Sequence, residues 1–74
     1  MKHIKTIPVI AGALIQKDVK FTLSLICEKY GVNYDLTDFG GVLQHRLLLT
    51  IWGEEESVNA VEREVKKYIY GLDS

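Results

Sequence analysis

The sequence has 74 residues, enough for one hydrophobic core and too few for a second domain. Apolar residues make up 47% and charged residues 26%, which excludes a disordered chain, and the longest apolar stretch, residues 8–15, is too short to span a membrane. The formal net charge is −1, without the basic cluster of a nucleic-acid-binding protein. A single cysteine, Cys27, excludes an intrachain disulfide, so we expect a soluble cytoplasmic domain.

The first predicted element is a β-strand from Ile4 to Ile15, with its end between Ala11 and Gln16. Apolar side chains occupy both alternating sets of positions, which predicts a strand buried on both faces. Pro8 cannot donate a hydrogen bond and Gly12 weakens a strand interior. We therefore expect this strand to be bent, bulged or at a sheet edge near one of these residues.

The second predicted element is a helix that starts at Asp18 as its N-cap and stops at Gly31. Phe21 and Leu25 lie off its main apolar stripe, so they either contact a partner or fill the edge of a small core. The stripe recurs at spacings of three and four residues and consists of Val19, Leu23, Ile26, Cys27 and Tyr30.

A β-hairpin follows, because alternation over residues 32–37 leads through Gly40 and Gly41 into a second alternating run over residues 43–52. One face of that run is predicted to meet the core and the other to stay outside. The core set is Leu43, His45, Leu47, Leu49 and Ile51. The outer set is Gln44, Arg46, Leu48, Thr50 and Trp52.

The last element is a second helix that opens with three acidic residues at 54–56 and ends with Lys66, Lys67 and Gly71. Acids at the start and lysines at the end of a helix complement its dipole. The apolar stripe of this helix is Val58, Val61, Val65, Tyr68 and Ile69.

The order β-α-β-β-α predicts an α+β fold, a ferredoxin-like two-layer sandwich with an antiparallel sheet and two helices on one face. The last strand of that fold is short or missing, since only Leu72, Asp73 and Ser74 remain to cover the open edge. Pairing with a second chain would cover it.

Residues 7–69 resemble the small ligand-binding ACT domains and the related NIL-type domains, through the segments YGVNYDLTDFGG, HRLLLTIWG and EEESV. The resemblance implies that copies pair edge to edge or helix to sheet. It also implies an amino-acid ligand at the first turn, where residues 15–18 lack the glycine usual in ACT domains.

The start of the first helix is the candidate ligand site, with Gln16, Lys17 and Asp18, because free backbone amides there attract anions. The alternative is an ordinary solvated helix cap.

Other chemistry finds little support in the residues. The sequence has no Cys-x-x-Cys metal motif, no Gly-x-x-Gly loop and no stacking aromatics on its first strand, so we expect no metal, no cofactor and no nucleic-acid partner. Asp35 and Asp38 are turn formers or ligands of a hard cation, and Cys27 is a buried apolar residue or a reactive thiol. His45 is a packed side chain or a base. No catalytic residue is predicted.

The predicted interface is an apolar patch on the uncovered sheet face, formed by Ile10, Leu14, Leu48 and Trp52. A strand register slipped by one residue would instead bury this face. The leading hypothesis is a non-catalytic homodimeric binding or regulatory module, with a small-molecule site at the subunit interface. The alternatives are an adaptor or inhibitor of a larger protein, and a small enzyme completed between subunits that uses His45 and Arg46.

Overall fold

A computed structural model describes residues 2–72 of the protein. Its elements are β1 (His3–Gly12), α1 (Gln16–Tyr30), β2 (Asn33–Asp38), β3 (Gln44–Gly53) and α2 (Glu55–Leu72). The α+β class with an antiparallel sheet and two helices is therefore as predicted. Within these residues, neither helix combines the length and the apolar composition that a membrane crossing needs.

The sheet has three strands in the order β1-β3-β2, and β3 is antiparallel to both neighbours. Leu49 of β3 lies opposite Ile7 on one side and Leu36 on the other. This strand order is compatible with a small β-α-β-β-α fold. It leaves β1 at an edge of the sheet, which is one of the three alternatives predicted from Pro8 and Gly12.

Both helices pack on the same face of the sheet, so the core lies in a single layer between them and the strands. The buried face of β3 is the predicted one, and a register slipped by one residue is wrong. Burial follows the alternation of the strands and the apolar stripes of the helices. The core residues with no exposed surface are Val19, Leu23, Cys27, Leu49, Ile51, Val58, Val61 and Val65.

The structure corrects two predictions about β1. The strand is buried on one face only, since Ile4 and Ile10 are 70% and 59% exposed on the face that the helices leave uncovered. The strand ends at Gly12, within the predicted range of Ala11 to Gln16, but Leu14 lies in the turn of residues 13–15 with its side chain fully exposed. The predicted patch therefore loses Leu14, because alternation stops where the backbone turns.

The first helix begins three residues earlier than predicted, so Asp18 is not its N-cap. Ile15 is the N-cap, and its side chain cannot cap, while its carbonyl accepts the Val19 amide at 3.0 Å. Asp18 lies in the first turn, where its negative charge still complements the helix dipole. Gly31 ends the helix in the left-handed conformation, with φ of 68°, as predicted.

The second helix runs from Glu55 to Leu72, past its predicted end. Lys66 and Lys67 consequently lie before the last turn, and the predicted favourable effect of these lysines on the helix end is wrong. Lys66 instead lies 3.6 Å from Glu62, one turn back. Leu72 belongs to the helix and does not cover the sheet edge, whereas Asp73 and Ser74, the other residues predicted to do so, lie outside the described residues.

Two leucines on one helix test this core. Leu23→Ala should lower the free energy of unfolding by about 2–5 kcal/mol, because the side chain is fully buried and its loss leaves a cavity. Leu25→Ala, on the exposed side of the same helix, should cost less than about 1 kcal/mol. Urea denaturation measures both, and equal losses would contradict the described orientation of α1.

Candidate functional site

The candidate site is the sheet face that no helix covers, which we call the outer face. It is built by the alternate positions of the three strands, and Phe39 extends it because its amide pairs with the Arg46 carbonyl at 2.8 Å. The outer face consists of Ile4, Thr6, Pro8, Ile10 and Gly12 of β1, Gln44, Arg46, Leu48, Thr50 and Trp52 of β3, and Asn33, Asp35, Thr37 and Phe39 on the β2 side.

Three of the four predicted interface residues share this face. Ile10 lies opposite Arg46, and Trp52 lies opposite Ile4, with Leu48 between them on the central strand. Sequence reasoning missed Ile4 and Phe39, which are 70% and 66% exposed, and it missed Pro8, which lies opposite Leu48. Recognising that β1 is covered on one side only would have found Ile4 and Pro8.

Charge is almost absent from the outer face. Arg46 and Asp35 are its only charged side chains, and they carry opposite signs. Neither forms an ion pair within residues 2–72. Asp35 lies opposite Thr50, four positions along β3 from Arg46, so the two charges are too far apart to pair within one chain.

One end of the outer face holds a groove of about 620 Å³. It is lined by Ile10 and Gly12, by the loop residues 40–43, and by Gln44 and Arg46. Leu43, which was predicted to face the core, lies just before β3 and is 83% exposed, so its side chain is not part of the core. Gly41 fixes the loop, since any Cβ there would collide with the Gln44 carbonyl.

The free edge of β1 is the other surface open to pairing, and Pro8 interrupts it. The Ala13 amide donates to the Leu43 carbonyl at 3.0 Å, which continues the ladder between β1 and β3. By the alternation of an antiparallel ladder, the even-numbered backbone groups of β1 point toward the open edge. Pro8 is one of them and has no N–H, so the row of donors is broken near its middle.

A cluster of polar side chains ties the hairpin loop to α1. Asp38 accepts hydrogen bonds from the Gly40 amide at 2.7 Å and from Lys20 Nζ at 2.6 Å. His45 Nδ1 lies 3.1 Å from both carboxylate oxygens of Asp38. The hydrogen bond from Lys20 holds the pKa of Asp38 well below its ordinary value, and those from Gly40 and His45 act in the same direction.

This cluster decides between the predicted roles of its members. Asp38 forms the turn, as one of its two predicted roles stated, whereas Asp35 lies exposed on the outer face and away from the turn. The pairing of His45 with Asp38 was missed, because it depends on how two strands are staggered across the sheet. Among residues 2–72, no three His, Cys, Asp or Glu side chains come together as a metal site would require.

The predicted ligand residues lie at the start of α1, away from the outer face. Lys17 and Asp18 are exposed, and Gln16 is half-buried with a side-chain oxygen that is buried and has no hydrogen-bond partner. The best-formed cavities in the described part of the chain are lined by other residues. The ligand site there stays a prediction.

The structure separates the predicted pair His45 and Arg46, and it buries Cys27. His45 and Arg46 are neighbours on β3 and therefore point to opposite faces of the sheet. The Cys27 thiol is buried, and burial followed by the charge of Glu28 raises its pKa to about 11. Cys27 is thus a small apolar core residue, one of its two predicted roles.

Comparison of the chain with family models, with curated proteins and with solved structures found no match.

The pH dependence of stability tests the Asp38 cluster. Because folding favours the ionised carboxylate, its contribution is present above about pH 4 and is lost as the pH falls through the lowered pKa. Asp38→Asn should lower the free energy of unfolding at pH 7 and should reduce the loss of stability between pH 4 and pH 2. Lys20→Met should show smaller effects in the same directions. Urea denaturation across this range measures both. An unchanged acid decline in Asp38→Asn would contradict the cluster.

The reactivity of Cys27 tests the core assignment of α1. A thiol whose pKa is raised to about 11 is almost wholly protonated at pH 8, and burial also blocks access to it. We expect no reaction with a chromogenic disulfide reagent in the folded protein and one equivalent of reaction in urea. Rapid reaction without denaturant would place Cys27 at the surface.

Proposed function

We propose that this protein is a non-catalytic module that forms a homodimer through the outer face of its sheet, in a ferredoxin-like fold. The observation that carries the proposal is that both helices lie on one side of the sheet and leave a nearly uncharged face on the other. Ile4 and Trp52 form one apolar group on this face, and Pro8, Ile10 and Leu48 form a second, on either side of the Thr6–Thr50 row. Exposed apolar groups on a sheet surface are typical of interaction sites. A partner that covers the face supplies the burial that a domain of this size lacks.

A second copy of the chain suits this face better than a partner of strong charge. The two charges on the face cancel, so two copies meet without net repulsion. The five rows of outward side chains on three strands give a face of roughly 15 by 30 Å. Two such faces bury on the order of 1,000 Å² in total, which is the lower end of the range for a specific interface.

Pairing along the free edge of β1 is the competing arrangement, and Pro8 disfavours it. An antiparallel ladder between two copies of β1 is symmetric, so each hydrogen bond of one copy occurs again in the other. The missing N–H of Pro8 would therefore remove two hydrogen bonds from the ladder in any register that includes it. Proline at an edge strand is a known means of preventing such pairing.

The resemblance to ACT and NIL-type domains supports a module that acts by pairing, but the pairing it implies is edge to edge or helix to sheet and not face to face. The small-molecule part of the hypothesis rests on Gln16, Lys17 and Asp18 and on the unpartnered Gln16 oxygen. An enzyme site completed between subunits by His45 and Arg46 is the weaker candidate, because the two side chains point to opposite faces of the sheet and only Arg46 lies on the outer face.

Light scattering on a sizing column tests the proposal. The wild type should have the mass of a dimer, and both Ile10→Glu and Trp52→Glu should give monomers, because a carboxylate would be buried in the apolar interface. Ile10 is 59% exposed in the single chain, so its substitution should leave folding intact. Circular dichroism checks that both variants are folded.

Phe21→Glu is the matched control, because Phe21 is 64% exposed but lies on α1, away from the outer face. This variant should remain a dimer. A monomeric wild type would refute the homodimer and leave the outer face for a different protein, as the adaptor hypothesis requires. A dimer split by Phe21→Glu and not by Ile10→Glu would move the interface to the helices.

A further inference from the structure

The outer face is complementary to itself when its long direction is reversed. Leu48 lies midway along β3, with Arg46 two positions to one side and Thr50 two positions to the other. Asp35 is the neighbour of Thr50 on β2. A two-fold axis that crosses the strands at Leu48 therefore brings Arg46 of one copy above Thr50 of the other, one strand spacing of about 4.8 Å from the partner's Asp35. Packed sheets lie about 10 Å apart, a gap that arginine and aspartate side chains together can span.

The same axis places the largest side chain of the outer face, that of Trp52, over the groove of the other copy. The groove lies around Gln44 and Arg46, at one end of the face, and Trp52 with its neighbour Ile4 lies at the other end. Reversal about Leu48 exchanges position 44 with position 52, so Trp52 of each copy lies over the groove of the other. A groove of about 620 Å³ has room for both an indole and a sec-butyl side chain.

An axis parallel to the strands would give the opposite result. Such an axis keeps every row of residues over the same row of the partner, and when it runs along β3 it places Arg46 close to Arg46 of the second copy. Like charges placed together in an interface cost affinity and select against that arrangement.

We infer that two copies pack face to face about a two-fold axis perpendicular to the strands at Leu48, with each Arg46 paired to Asp35 of the other copy and each Trp52 in the other copy's groove. This inference rests on the proposed homodimer and defines its geometry. The pairing is isologous, so each contact occurs twice and the assembly closes as a dimer.

A charge exchange tests the pairing, with dissociation constants measured by sedimentation equilibrium. Arg46→Asp and Asp35→Arg should each weaken the dimer about tenfold or more, because each creates two like-charge contacts. The double variant Arg46→Asp/Asp35→Arg should return to within a few-fold of the wild type, since opposite charges meet again. Glu28→Arg, the same change of charge on the exposed side of α1, should have no effect.

The outcomes separate this inference from the proposed homodimer. A monomeric wild type would refute both. A dimeric wild type in which the double variant stays as weak as the single variants would refute the pairing and leave the homodimer standing. An equimolar mixture of the two single variants gives a second test, because position 46 of each chain then faces the opposite charge at position 35 of the other, and it should form a dimer tighter than either variant alone.

Fluorescence tests the position of Trp52, the only tryptophan in the chain. Its emission should shift to shorter wavelength as the protein is concentrated into dimers, because the groove removes the indole from water. Val42→Asp, in the loop that lines the groove, should reduce this shift. Emission that stays constant while the mass doubles would show that Trp52 lies outside the contact.

Discussion

The central strand β3 is paired on both sides and covered on one face only. Its odd-numbered side chains, from Leu47 to Ile51, hold both helices to the sheet and are almost fully buried. Its even-numbered side chains point to the opposite face, where no element of the described chain covers them. Because period-two alternation assigns each residue to one face, the same strand that forms the core also creates the uncovered surface.

Much of the fold could be predicted because periodicity reports burial directly. The alternation of β3 gave the correct core face, and Gly31 gave the correct end of α1. The errors occurred where local rules compete. Asp18 is a better capping residue than Ile15, yet the turn after Gly12 starts the helix earlier. Leu43 continues the alternation in the sequence, but it lies in the loop before β3 and its side chain is exposed.

The residues of the candidate site could be predicted where they follow from the alternation of one strand, and could not where they depend on contacts between strands. Leu48, Trp52 and Ile10 follow from alternation along single strands, whereas Phe39 and the groove depend on how the strands are staggered and how the loop turns. The pairing of His45 with Asp38 and the separation of Arg46 from Asp35 likewise arise between strands. Contacts between strands depend on the register in which the strands pair, and the sequence pattern of a single strand does not determine that register.

A second copy of the chain is proposed to cover the outer face, and isotope-filtered NMR tests this contact most directly. In a mixture of labelled and unlabelled chains, only contacts between copies give filtered nuclear Overhauser effects. We predict such effects between the Leu48 methyl groups of the two copies and between Trp52 and the loop residue Val42 of the other copy. Filtered effects that arise from Phe21 and Leu25 on α1, with none from Leu48, would contradict the account.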